Sequence, residues 1–134
     1  MAPTIKQLAK QVVKAAKEHG FVVQRYDAYS TQSVYLKLDY GVSNSIRISN
    51  HAGKKHLAYR FNLLTDITES YKQQGTHQRN FYCHEDVQLL INDIVRHRQA
   101  QIERYGRESY ERLMEKNKHA NADARGFWQQ AKLV

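Results

Sequence analysis

The chain has 134 residues, a 41% apolar share, a single proline and a formal charge of +8. Those values describe one folded domain with one modest core, and leave no room for a second. A lone cysteine excludes an internal disulfide, and no apolar run approaches the length of a bilayer span. The expected setting is therefore the cytoplasm. The charge calls for an anionic partner, most often nucleic acid. It is also uneven: residues 1–67 carry ten Lys/Arg against four Asp/Glu, whereas residues 68–134 carry eleven against nine.

The first element is a helix capped by Thr4, with Ile5, Leu8, Ala9, Val12, Val13 and Ala16 on one face and a stop at Gly20. Lys6, Lys10, Lys14 and Lys17 recur every three or four residues and align on the opposite face. A strand opens at Phe21-Val22-Val23 and runs towards Tyr26, and a polar turn region spans 27–32. Three strands are then expected between Val34 and Leu64, because apolar and polar residues alternate with a period of two. Val34, Leu36 and Leu38 alternate with Tyr35, Lys37 and Asp39, and Ile46 and Ile48 with Ser45, Arg47 and Ser49. Leu57, Tyr59, Phe61 and Leu63 complete the set, with turns at 41–44 and 52–55. In this register Ile46 and Ile48 face the core and Arg47 faces solvent, since the opposite register would bury an arginine.

Residues 72–80 have no period and read as a surface loop. A second helix is expected from about His84, with Glu85 and Asp86 in its first turn. Val87, Leu90, Ile91, Ile94, Ile102 and Tyr105 recur at helical spacing and should pack on the sheet. Gly106 interrupts this helix, and Tyr110, Leu113 and Met114 continue the face to about Lys118. The expected fold is α+β, with an N-terminal helix, an antiparallel sheet of three to four strands and a long C-terminal helical segment packed on it. Residues 1–119 form the domain, and 120–134 are a tail, frayed from Ala120 to Gly126, that carries Phe127 and Trp128.

Two features could carry a function. The stretch from Asn44 to Leu64 holds Arg47, Lys54, Lys55 and Arg60 and no acidic residue. With Asn50 and His51 these cations make a corner suited to gripping phosphate or carboxylate, and Tyr35 and Tyr59 could offer stacking faces. The competing explanation is a polar turn whose lysines protect a strand edge. The second feature is the stripe of Lys6, Lys10, Lys14 and Lys17, able to follow a phosphate backbone and equally able to serve as a soluble helix face. His77, Cys83 and His84 fall short of a four-ligand zinc set, so no metal is expected. Clustered carboxylates, a glycine-rich phosphate loop and a nucleophile elbow are all missing from the sequence. The expectation is a non-enzymatic protein that needs no cofactor; a metal-dependent nuclease using His51 ranks behind both binding readings.

The segment Ser45-Ile46-Arg47-Ile48-Ser49-Asn50-His51 resembles a phrase in small basic proteins of Gram-positive phages and mobile elements, including a type II-A anti-CRISPR protein. That resemblance implies a phage-type inhibitor acting in the host cell cytoplasm, binding a host CRISPR type II effector nuclease or its guide RNA. The alternative is a general nucleic-acid-binding module of a mobile element. The expected contact residues are Arg47, Asn50, His51, Lys54, Lys55 and Arg60, supported by Lys6, Lys10, Lys14 and Lys17.

Overall fold

A computed structural model describes residues 4–28, 33–50, 61–64, 80–120 and 131–134. The first helix, α1 (Ile5–Glu18), begins with a capping box: the Thr4 hydroxyl accepts from the Gln7 N–H at 3.1 Å, and the Gln7 side chain accepts from the Thr4 N–H at 2.8 Å. Two backbone donors without helical partners are thereby satisfied at one turn. At the other end Gly20 adopts a φ of +81°, and the Gly20 and Phe21 N–H groups close back onto the Lys17 and Ala16 carbonyls. This left-handed stop turns the chain directly into the sheet.

The strands are β1 (Val23–Asp27), β2 (Val34–Leu38), β3 (Ser45–Ser49), β4 (Phe61–Leu64), β5 (Asn80–Cys83) and β6 (Lys132–Leu133). They form one sheet in the order β5-β4-β3-β2-β1-β6. The β6–β1, β1–β2 and β2–β3 pairs are antiparallel, while β3–β4 and β4–β5 are parallel. The sheet is therefore mixed and larger than the antiparallel three or four strands expected. Parallel neighbours cannot be joined by a tight hairpin, so β3 and β4 do not belong to the simple meander that the alternation suggested. Asn80, assigned to a loop from sequence, opens β5. The end of the expected tail supplies β6 at the β1 edge.

The register places Val34, Leu36, Leu38, Ile46, Ile48, Phe61, Leu63 and Tyr82 on one face. Leu8, Ala9, Val12 and Ala16 of α1 and Leu90, Ile91 and Ile94 of α2 (Val87–Tyr105) pack against them to form the core. A short 3-10 turn, His84–Asp86, leads from β5 into α2. Gly106 breaks the helix as expected, with φ 90° and ψ 148°, and α3 (Arg107–Ala120) follows. The expected helical face is only partly buried. Tyr110 of α3 is 5% exposed, on the side that lies against the 39–41 turn, but Tyr105 at the end of α2 and Leu113 of α3 are 59% and 46% exposed.

Arg47 requires a correction. Ile46 and Ile48 do face the helices, and the strand register is the one expected, yet Arg47 on the opposite face is only 1% exposed. It sits in a cross-strand row with Tyr26, Tyr35, Asn62 and Phe81. Its guanidinium lies 5.9 Å from the Tyr35 ring centre and donates to the Ser33 hydroxyl at 3.4 Å. Tyr35, Lys37, Ser49 and Asn62 are buried on the same face. The face is polar, but it is not a wet one. Burial there lowers the Lys37 pKa, because desolvation disfavours the ammonium form.

The buried phenols set an alkaline limit. The Tyr82 hydroxyl donates to Asp93 at 2.6 Å and the Tyr110 hydroxyl to Asp39 at 2.5 Å. Burial first, then those hydrogen bonds, push both phenols well above the ordinary value of 10.0. The folded protein thus keeps two protons that the unfolded chain begins to lose near pH 10. The associated stability is complete below that pH and falls as pH rises through the folded values. Lys37 has the opposite sign and acts below 10.5. Urea midpoints should therefore decline above about pH 10, and the decline should be shallower in a Tyr82→Phe, Tyr110→Phe double variant measured alongside.

Candidate anion-binding groove

The α1 face opposite the core is a run of cations. Ile5, Leu8, Ala9, Val12 and Ala16 point inward, which leaves Lys6, Lys10, Lys14 and Lys17 exposed on the other side. Glu18, beside Lys17 and four residues after Lys14, is the one acidic residue of the helix. Lysines four residues apart stand roughly 6 Å apart along the axis. Lys17 in the last turn is also well placed against the negative end of the helix dipole.

Three of these lysines border a groove of about 550 Å³ between α1 and the β1–β6 edge of the sheet. Lys10, Lys14 and Lys17 line it from the helix, Arg25 of β1 from the sheet, and Val13 and Val134 supply apolar surface. Arg25 is held in a defined orientation: its Nε donates to Asp27 Oδ1 at 2.7 Å and its second terminal nitrogen to Oδ2 at 3.2 Å. Its side chain is 18% exposed. A guanidinium fixed by a two-point carboxylate contact has lost little freedom still to be lost on binding. Four basic side chains surround one concavity, Arg25 among them already paired with Asp27, and Glu18 is the acid among its lining residues; such a lining is chemically suited to an anion.

Arg25 was not among the expected contacts. A signal was present in Arg25-x-Asp27, because residues two apart on a strand share a face and can pair there. Lys10, Lys14 and Lys17 are brought together as anticipated, and Lys6 continues the stripe beyond the groove. Most of the other expected site lies outside the described residues. Arg47 is buried, as is Tyr35 at 8% exposure. Asn50 is half-buried just after β3, and His51, Lys54, Lys55, Arg60 and Tyr59 lie outside the described residues. His77, Phe127 and Trp128 also lie outside them.

Comparison with models of protein families, with curated proteins and with solved structures finds no match for this chain. The site must be read from its own chemistry.

A second polar assembly binds the C-terminal helices to the sheet. Asp39 is 2% exposed; its Oδ1 accepts from the Val22 N–H at 2.8 Å, and its Oδ2 accepts from Tyr110. The Arg98 guanidinium lies 4.0 Å from the same oxygen, donates to the His19 carbonyl and covers the Phe21 ring. Asn117 donates to the Tyr40 carbonyl at 3.0 Å. The cluster thus joins the end of α1, the turn after β2, α2 and α3. Asp39 and Tyr40 both have left-handed φ, 50° and 55°, a conformation that costs free energy unless its surroundings hold it. Tyr110 and Asn117 supply that hold. An adjacent cleft of about 340 Å³ has walls of mixed charge, including Arg107 and Glu111. The geometry makes this assembly a clasp, and its chemistry is that of structural support.

Among the described residues, no group of three or more His, Cys, Asp or Glu side chains gathers to hold a metal ion. Cys83 is buried and reduced, with its Sγ 3.6 Å from His84 Nδ1. No helix among the described residues is long and apolar enough to cross a membrane.

Proposed function

We propose that this protein is a non-enzymatic binding protein that grips a nucleic-acid backbone in the groove between α1 and the β1–β6 edge. The observation that carries this reading is the convergence of Lys10, Lys14, Lys17 and Arg25 on one concave surface. Phosphates are the anions that such a row of lysines meets at matching intervals, and displaced counterions supply the driving force. The overall charge of +8 adds a long-range attraction that speeds encounter.

In its narrower form, which rests on the resemblance around Ile46-Arg47-Ile48, the protein is an inhibitor of a CRISPR type II effector nuclease and the strand it holds is the guide RNA. In its broader form it is a nucleic-acid-binding module of a mobile element. A pull-down from host lysate separates the two: an effector nuclease retained after nuclease treatment favours the inhibitor, and a signal that vanishes favours direct nucleic-acid binding.

The test of the groove itself is salt dependence. Affinity for an oligonucleotide should fall steeply as salt rises. The triple change Lys10→Ala, Lys14→Ala, Lys17→Ala should flatten the logarithmic slope by up to about two, given ~0.7 per single-strand phosphate contact. The three side chains are exposed, so the thermal midpoint should hold within the range of ordinary surface substitutions. Binding that ignores salt, or a triple variant with an unchanged slope, would remove the groove from consideration.

A further inference from the structure

We infer that the groove selects a single strand of nucleic acid over a duplex, with the Arg25 guanidinium as the plane on which a base stacks. The inference rests on the proposed nucleic-acid reading and goes further by naming the form of the ligand. Three observations carry it. The first is size: the groove measures about 550 Å³ and is an open trough of small-molecule size rather than an enclosed cavity. It admits a nucleotide or two of an extended strand, whereas a duplex presents its stacked bases inside a far broader cylinder.

The second is composition. The groove is not uniformly charged, because Val13 from the helix and Val134 beside β6 place apolar surface between the cations. A duplex backbone offers such surface nothing to cover. A single strand offers the faces and edges of unstacked bases, and proteins that bind single strands combine a positive track with flat or apolar contacts.

The third is the state of Arg25. Its two-point contact with Asp27 sets the plane of the guanidinium before any ligand arrives. Arginine planes stack on exposed bases, and an arginine already fixed in place does so at small entropic cost. The lysines of α1, by contrast, are exposed and flexible point charges suited to phosphates. The division of labour is thus lysines for the backbone and Arg25 for the base.

Fluorescence anisotropy with a thymidine homopolymer and with a duplex of equal length tests this on the full chain. The single strand should bind about tenfold more tightly than the duplex, in keeping with one stacked base. Arg25→Lys keeps the charge and removes the plane, so it should bring the two affinities close together. Asp27→Asn raises the net charge while releasing the guanidinium. Electrostatics alone would make that variant bind both ligands more tightly, whereas loss of the fixed plane should reduce the preference for the single strand. Because Asp27 is a surface partner of Arg25, this second variant keeps the test open if Arg25→Lys folds poorly. Equal affinity for strand and duplex, or a preference untouched by both variants, would overturn the inference and leave the groove as a general phosphate site. Binding to neither ligand at low salt would overturn the proposed function as well, and capture of polyglutamate in its place would assign the groove to an acidic protein.

Discussion

Replacing Asp39 with alanine is expected to destabilise the protein by about 3–5 kcal/mol, the range for removing one member of a buried charged network. Three losses combine. The Val22 N–H and the Tyr110 hydroxyl each lose their acceptor, the first part-buried and the second buried, and the Arg98 guanidinium loses the carboxylate 4.0 Å away. Each buried group left unsatisfied costs about 1–3 kcal/mol. Alanine also tolerates the left-handed φ of 50° less well than aspartate, whose short polar side chain bonds locally. A domain of this size has a total stability of about 5–15 kcal/mol, so the change removes a large part of it. Asp39→Asn retains an acceptor and the tolerance for that backbone, and should cost less than alanine. Tyr110→Phe removes the hydroxyl that donates to Asp39 while leaving the carboxylate in place, and should cost about 1–3 kcal/mol. Urea unfolding of the three variants gives the order. Equal midpoints for alanine and asparagine would mean that Asp39 does not hold the clasp.

The features legible in the sequence are those decided by neighbours along the chain. Thr4, Gln7 and Gly20 delimit α1 through bonds to residues within five positions, and Gly106 interrupts the second helix for the same local reason. The lysine stripe follows from helical periodicity alone. What the sequence hides is set by distant partners. Nothing in the alternation of β3 and β4 distinguishes parallel from antiparallel pairing. β5 has four residues and β6 two, too few for a period to emerge. Arg25 became part of the groove because β6 docks on β1 and brings Val134 alongside. Asp39 and Tyr110 meet across 71 positions of sequence. Alternation does separate the two faces of a strand, and it placed Ile46, Ile48 and Arg47 on their correct sides. It does not tell whether the polar side is open to water, which is why Arg47 was expected at the surface.

That burial reverses the expected behaviour of the arginine. A surface Arg47 would tolerate alanine with little change in stability, and its loss would appear in partner binding. At 1% exposure, with a Tyr35 ring and a Ser33 hydroxyl within reach, truncation instead empties a large volume in the middle of the sheet. Arg47→Ala is expected to cost about 2–5 kcal/mol, as for other large-to-small changes at buried sites. Arg47→Met separates volume from charge. Methionine fills much of the same space with an adaptable unbranched chain, and it removes the desolvation cost of the guanidinium. Its cost should therefore stay below about 2 kcal/mol, the range of swaps that roughly conserve volume. Oligonucleotide affinity, measured at a temperature where each variant remains folded, should match that of the parent for both, because the α1 groove lies on the other side of the sheet register. An Arg47→Ala protein with parental stability and weakened binding would return Arg47 to the contact surface. The row of Tyr26, Tyr35, Arg47, Asn62 and Phe81 would then be the interface, and the groove would lose its standing as the binding site.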